Sequence, residues 1–165
     1  MGMFKPDFYY DTVHDIPYGK LWDDGIRGLV FDLDNTLAPY EDNHPPAKIV
    51  ALIKRLKGMG FAVCLLSNNN NKRVEKFSEP LGVHGIANAV KPLGRGVRKA
   101  MKALGTASAQ TAIIGDQLLA DVWAGKNAKV VTILIKPLTT RDFVGVKYRR
   151  MVEKWLLKRY YGDQG

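Results

Sequence analysis

The run Gly28-Leu29-Val30-Phe31 carries no polar side chain and stops on Asp32-Leu33-Asp34-Asn35-Thr36-Leu37. A short, uninterrupted apolar run reads as a strand covered on both faces, hence as one strand of a parallel sheet with helices packed on it. Two aspartates, one residue apart, then stand at the carboxyl end of that strand. Residues i and i+2 share a face of a strand, and the chain curls into a loop there, so the two carboxylates are expected to converge. Converging carboxylates repel unless a cation or a shared proton lies between them, and the pair therefore points to a magnesium-dependent site. The plainer reading of the segment alone is an Asp-rich turn closing a strand, since Asp and Asn form turns readily.

The same grammar recurs along the chain. After a strand over about 28–33 and a loop at 38–46 holding Pro39, Pro45 and Pro46, residues 47–58 place Ile49, Val50, Leu52, Ile53 and Leu56 at helical spacing. Gly58 and Gly60 are expected to stop that helix. A second strand, 61–66, ends in Ser67-Asn68-Asn69-Asn70-Asn71, and a helix over 71–79 is expected to end before Pro80. A short strand near 86–90 leads to Lys91-Pro92, a helix over 95–104 closes on Gly105, and the run Thr111-Ala112-Ile113-Ile114 ends in Gly115-Asp116. A helix over 117–125, a strand over 129–135 and a helix over 142–160 complete the pattern, after an irregular leader over 1–27 with one helical turn, packed by Phe8, Tyr9, Tyr10 and Trp22. Alternating strands and helices predict an α/β fold, three layers with a central parallel sheet, in one domain over 1–165. In such sheets ligands bind outside the carboxyl ends of the strands, where Asp32 and Asp34, Ser67 and Asn68, Lys91, and Asp116 all fall.

Composition narrows the surroundings. Cys64 is the one cysteine, so an internal disulfide framework is excluded; it lies in an apolar run and reads as core, in a reducing cytoplasm. No apolar stretch approaches the roughly 20 residues of a bilayer-spanning helix, and residues 1–7 lack the apolar core of a signal peptide. Gly2 does not make a myristoylation motif, because position 6 is Pro. The net charge of +9 is unevenly placed: residues 126–165 hold 10 Lys or Arg against 3 Asp or Glu. That bias suits an anionic partner, either lipid headgroups or nucleic acid. In the final helix, Val144, Tyr148, Met151, Val152, Trp155, Leu156 and Tyr160 can form one apolar stripe, with Lys147, Arg149, Arg150, Lys154, Lys158 and Arg159 interspersed. Such a helix either lies on an anionic membrane or covers the sheet with its cations in water.

Together the strand-end residues can do phosphoryl chemistry. Asp32, Asp34 and Asp116 offer the oxygen ligands that Mg²⁺ favours. Ser67 and the backbone N–H groups after it can hold phosphate oxygens at the start of the next helix, and Lys91 supplies a point charge. This set suits transfer through an aspartyl phosphate, with one carboxylate attacking phosphorus and a second acid protonating the leaving oxygen.

In these residues the chain resembles the haloacid dehalogenase superfamily over about 28–135. Asp32-Leu33-Asp34-Asn35-Thr36 is similar to its first motif, Ser67 after Val63-Cys64-Leu65-Leu66 to its second, Lys91 to its third and Gly115-Asp116-Gln117-Leu118-Leu119-Ala120-Asp121 to its fourth. The resemblance implies a Rossmann-like fold, with Asp32 as nucleophile and Asp34 as general acid and base. It implies Mg²⁺ held by the side chains of Asp32 and Asp116 and the carbonyl of Asp34, with Asp121 in support. Thr36 would shape the loop around the acid, Ser67 and Lys91 would bind the phosphoryl group, and Asn68 would add an amide donor. His44 could touch substrate, while His14 and His84 read as structural or exposed. Only 30 residues (37–66) separate Thr36 from Ser67, and 23 (68–90) separate Ser67 from Lys91, so neither gap houses the cap domain that many members insert. Without a cap the site is expected to be open and to suit a phosphate on something large. Within the superfamily the chain is similar to the uncapped subclass IIIA phosphatases of the YqeG type. That likeness implies conversion of phosphatidylglycerophosphate to phosphatidylglycerol by a cytoplasmic enzyme, peripheral at a membrane.

Other readings fit parts of the pattern. The same chemistry could serve a nucleic-acid end or a soluble phosphate ester. A receiver-like signalling domain also stores a phosphoryl group on Asp, but it needs no acid at the position of Asp34. A catalytically idle binding module would not need the full acidic set.

Overall fold

The structure, a computed structural model, describes residues 2–139 and 144–162, without the side chains of 144–148. Six strands, β1 (Phe8–Tyr10), β2 (Gly28–Phe31), β3 (Ala62–Leu66), β4 (His84–Ile86), β5 (Thr111–Gly115) and β6 (Val131–Ile135), form one all-parallel sheet in the order β1-β6-β5-β2-β3-β4. The helices are α1 (Tyr18–Asp23), α2 (Ala47–Gly58), α3 (Asn71–Leu81), α4 (Arg95–Leu104), α5 (Trp123–Ala128) and α6 (Val144–Tyr161). The sheet is the expected α/β, Rossmann-like one, with a core on each face. One core gathers Leu29, Phe31, Leu65 and Ile114 with Ile49, Leu52, Ile53 and Leu56 of α2; the other gathers Val30, Cys64, Leu66 and Ile113 with Val97, Ala100 and Ala124. Each large aliphatic side chain so buried contributes about 1.5–3 kcal/mol as an upper estimate. Burial pushes the Cys64 thiol up to about 12, which leaves it inert as a nucleophile.

The sheet positions the site through its order. β2 is flanked by β5 and β3, and the chain reverses its direction of travel across the sheet between β2 and β5. The crevice at that reversal opens between the carboxyl ends of the two strands, where Asp32 and Asp116 stand. Only α2 lies between β2 and β3, and only α3 between β3 and β4, so neither connection carries an inserted domain.

Several boundaries differ from expectation. The leader is not wholly irregular: β1 joins the sheet beside β6, locked by Asp7, whose carboxylate accepts from the Thr132 N–H (2.8 Å) and hydroxyl (3.0 Å). Three residues with two half-buried aromatic side chains give an edge strand no visible period. Helix α3 runs through Pro80 to Leu81, because the actual stop is Gly82 in the left-handed region at φ 62°. The expected helix over 117–125 divides into a wide π turn, Leu118–Val122, and α5. The short strand is 84–86, earlier than 86–90. Residues 142–143 of the expected last helix lie outside the described residues, as do the side chains of Val144, Lys147 and Tyr148. The face that α6 turns inward keeps only part of the expected stripe: Leu156 is buried and Tyr160 partly so, joined by buried Glu153 and partly buried Leu157, whereas Met151 and Trp155 are 64% and 59% exposed. Among the described residues no helix is long and apolar enough to cross a membrane.

Candidate active site

Asp32 follows β2, with its N–H still donating to the Ile114 carbonyl of β5 at 2.9 Å, so the strand ladder itself sets its place. Leu33 is fully buried and Asn35 is in the left-handed region at φ 62°, a conformation that Asn tolerates. This curl brings the Thr36 hydroxyl to Asp32. The Asp34 carboxylate, held by Arg73 and Asn69, is not one of the oxygens grouped most closely with Asp32. Instead, ligand oxygens of Asp32, Asp116 and Asp121 lie within 4.8 Å of one another, all three residues buried.

Four further features hold that trio. The Thr36 hydroxyl lies 3.0 Å from Oδ2 of Asp32 and 3.1 Å from Oδ1 of Asp116. Lys91 reaches across from the loop after β4, its Nζ donating to Asp32 (2.7 Å), Asp121 (2.5 Å) and the Leu66 carbonyl (3.3 Å). Val90, immediately before it, has φ 54°, a strained backbone for a β-branched residue, at the turn that leads into the buried lysine. The π turn brings Asp121 inward, where its other oxygen accepts the Gln117 N–H at 3.0 Å. Gly115 is required beside it, since a Cβ there would stand 2.2 Å from the Asp121 carboxyl carbon.

Three carboxylates and one lysine leave the cluster with excess negative charge. Burial first, then the charges of Asp32 and Asp121, hold the Asp116 carboxyl well above its usual range, although Arg150 pulls the other way. Burial and Asp32 push Asp121 up to about 6, against Lys91. Burial would lower Lys91, but Asp121 and Asp32 outweigh it and raise its pKa. The Thr36 hydroxyl has one proton to share between the two carboxylates it touches, Asp32 and Asp116. The donor set is oxygen-only, with no His or Cys, and buried. It fits a hard divalent cation, whose charge would oppose the rise at Asp116 and Asp121.

Asp34 sits in a second cluster. Its Oδ1 accepts from Nε (3.1 Å) and Nη2 (2.9 Å) of Arg73 on α3, and its Oδ2 from the Asn69 amide at 3.2 Å. Arg73 also donates to the carbonyls of Pro39 and Asp42, pinning the loop after the first motif, and its guanidinium lies over Phe77. Ser67 is buried at the end of β3, and its oxygen accepts the Asn69 N–H at 3.0 Å. Asn68 brackets Lys91, accepting its N–H at 2.8 Å and donating to its carbonyl at 3.3 Å. His44 is exposed in the loop after the first motif, and His14 and His84 are exposed elsewhere.

Sequence reasoning missed Arg73, Asn69, Arg150 and Glu153. Arg150 of α6 bonds both the carbonyl (2.8 Å) and Oδ2 of Asp116, and pairs with Glu153 at 3.2 Å. The available signal was two charged residues, three apart, in line with Leu156 and Leu157 on a helix whose inner face should be apolar.

The family model for haloacid dehalogenase-like hydrolases matches residues 40–129, a stretch that takes in Ser67, Lys91, Asp116 and Asp121 and begins after Asp32–Thr36. The probable phosphatase YqeG of Bacillus subtilis (strain 168) is 34% identical over 154 residues, covering 93% of this chain and 90% of that protein. The chloroplastic phosphatidylglycerophosphate phosphatase 1 of Chlamydomonas reinhardtii is 30% identical over 145 residues, covering 81% of this chain; the chain spans 54% of that relative's length. Among solved structures, the cobalt-bound deoxy-D-mannose-octulosonate 8-phosphate phosphatase YrbI of Haemophilus influenzae superposes with a TM-score of 0.54 at 19% identity, covering 84% of this chain and 90% of that one.

Proposed function

The chain belongs to the haloacid dehalogenase-like hydrolases and is a phosphatase of that family, and from that premise we propose that it is a Mg²⁺-dependent phosphomonoesterase working through a phosphorylated Asp32. One observation carries the reading: Asp32 is gathered with Asp116, Asp121, Thr36 and Lys91 into one buried, oxygen-lined cluster at the sheet's reversal point. Asp32 and Asp116 would hold the cation by side chain and Asp34 by its carbonyl, with Asp121 in support. When bound, the cation supplies positive charge against the phosphoryl oxygens and lets a carboxylate approach a dianion.

An oxygen of Asp32 attacks phosphorus as the ester P–O bond breaks, and Asp34 gives its proton to the departing alcohol. Water then attacks the phosphorylated Asp32, Asp34 takes a proton from it, and inorganic phosphate leaves with Asp32 restored. Ser67 and Lys91 hold the phosphoryl oxygens through both halves, Asn68 adds an amide donor, and Thr36 keeps the loop in place. For this, Asp34 has to loosen its contact with Arg73 as substrate enters.

For the substrate we favour phosphatidylglycerophosphate. Support comes from the named relatives, from connections too short for a cap, and from α6, which turns Met151 and Trp155 to solvent among Lys154, Lys158 and Arg159. We read 1–165 as one domain, cytoplasmic and peripheral at an anionic membrane. The test is phosphate release from phosphatidylglycerophosphate in vesicles, a 3′-phosphorylated oligonucleotide and a soluble sugar phosphate, with Mg²⁺ or EDTA, for wild type and Asp32→Asn. Preferred release from the lipid, lost in EDTA and in the variant, is expected. Preference for the oligonucleotide or sugar phosphate would remove the lipid assignment and keep the chemistry; activity surviving Asp32→Asn would remove the chemistry.

A further inference from the structure

We propose that Arg150 is a positioning residue for the cation, and that it makes cation binding and docking of α6 parts of one equilibrium; this rests on reading Asp116 as a cation ligand. α6 packs on the π turn and β6 through Leu156, with Leu157 and Tyr160 beside it, and its far end meets Tyr9 through Tyr161, ring centroids 5.6 Å apart. At the site end the hold is different. Glu153, 4% exposed, accepts the Leu119 N–H at 3.1 Å with one oxygen and Arg150 Nη1 at 3.2 Å with the other. The Arg150 guanidinium grips main chain and side chain of Asp116 at once, Nη1 on the carbonyl at 2.8 Å and Nη2 on Oδ2.

That two-point grip fixes the torsions of Asp116 and leaves Oδ1 turned toward Thr36, 3.1 Å away, and the other carboxylates. The sign of the effect follows from charge. Arg150 and Glu153 cancel, so the pair adds no net charge to the cluster. Its contribution to the cation is aim rather than repulsion, the role that outer-shell partners play at metal sites. Reciprocity then requires that a cation bound more tightly because α6 is docked also docks α6 more tightly, by the same factor.

The test uses the full chain and Mn²⁺ alone, titrated by calorimetry and electron paramagnetic resonance, with tryptic cleavage within α6 followed with and without Mn²⁺. Arg150→Met is expected to weaken Mn²⁺ binding about tenfold, the lower end for lost outer-shell partners. The charge-neutral pair Arg150→Met with Glu153→Met should lose as much, and Arg150→Lys, a point charge without the fork, should recover less than half. Mn²⁺ should slow cleavage of α6 in wild type and leave it unchanged in Arg150→Met. Binding in Arg150→Met equal to or tighter than wild type, full recovery by Lys, or cleavage of wild type indifferent to Mn²⁺ would overturn the proposal. Should Arg150→Met fail to fold, Glu153→Gln decides in its place, with an expected loss of about two- to threefold, because the grip on Arg150 loosens. Asp116→Asn separates the two layers. If it binds Mn²⁺ normally, the reading of Asp116 as ligand fails; if it does not bind while Arg150→Met does so normally, only the positioning role fails.

Discussion

Asp32 and Asp34 stand two residues apart, yet the chain delivers them to different surroundings. Asp32 is 7% exposed, in contact with the buried lysine Lys91 and the hydroxyl of Thr36, among carboxylates that share too few cations. Asp34 is half-buried, and a guanidinium and an amide cover its two oxygens. One left-handed residue, Asn35, and one buried anchor, Leu33, are enough to separate them. Neighbouring identical residues thus acquire unlike electrostatics from elements far away in sequence: the β4 loop supplies the cation for one, and α3 for the other.

The sharpest way to probe that division is by leaving group. Asp32→Asn removes the attacking oxygen and should cost about 10⁴-fold or more in kcat on any substrate. Asp34→Asn should cost about 10²–10⁴-fold in kcat/KM on an alkyl phosphate, the usual range for a lost general acid, and much less in kcat/KM on p-nitrophenyl phosphate, whose leaving oxygen needs no proton; the loss of Asp34 as base in the second half-reaction is common to both substrates and falls on kcat. Equal losses in kcat/KM on both substrates for Asp34→Asn, measured in a steady-state assay, would erase the distinction.

Stability offers the next contrast. Lys91→Met leaves Asp32 and Asp121 buried without their shared cation and should destabilise the protein by about 3–5 kcal/mol. Mg²⁺ should restore part of that loss. Arg73→Ala acts at a half-buried pair and should cost only about 1–2 kcal/mol, including the lost packing over Phe77. Urea unfolding of both variants would show whether the order holds; a reversed order means that the buried cluster is not the more tightly coupled one.

The smallest effect expected is on pH. Asp121, raised from 3.8 to about 6, binds its proton more tightly in the folded chain than in the unfolded one. Its contribution to stability is therefore fully present below about pH 4 and is lost as pH rises through about 6. Asp116 acts in the same direction. In EDTA the protein should be less stable at pH 7.5 than at pH 5 by on the order of 1 kcal/mol. Asp121→Asn or saturating Mg²⁺ should flatten that slope in thermal melts, and a slope of the opposite sign would contradict the charge count of the cluster.

Much of this was legible before any coordinates. Asp32, Thr36, Ser67, Lys91 and Asp116 are readable because each ends or follows a short apolar run, and a parallel sheet brings such ends to one edge. The arginines that finish both clusters were not readable. Arg73 and Arg150 lie inside helices, in a chain with 25 lysines and arginines, and nothing local marks these two. The partners of Asp34 could not be inferred either, because strand periodicity predicts a shared face with Asp32 and does not foresee the turn at Asn35. Asp121 was readable as support but not as a member of the trio, since a π turn has no sequence signature comparable to an α-helical period.

The pairing of β1 with β6 has a consequence for biosynthesis. Asp7 closes on Thr132, 125 positions later, and Tyr9 stands opposite Leu134. At about 5–20 residues per second of translation, the first strand waits roughly 6–25 s for its partner to be made. Throughout that interval Phe8, Tyr9 and Tyr10 travel on the nascent chain as an aromatic strand with an unmet edge. During synthesis this strand is therefore open to aberrant pairing until β6 emerges, and chaperone capture should map to that segment.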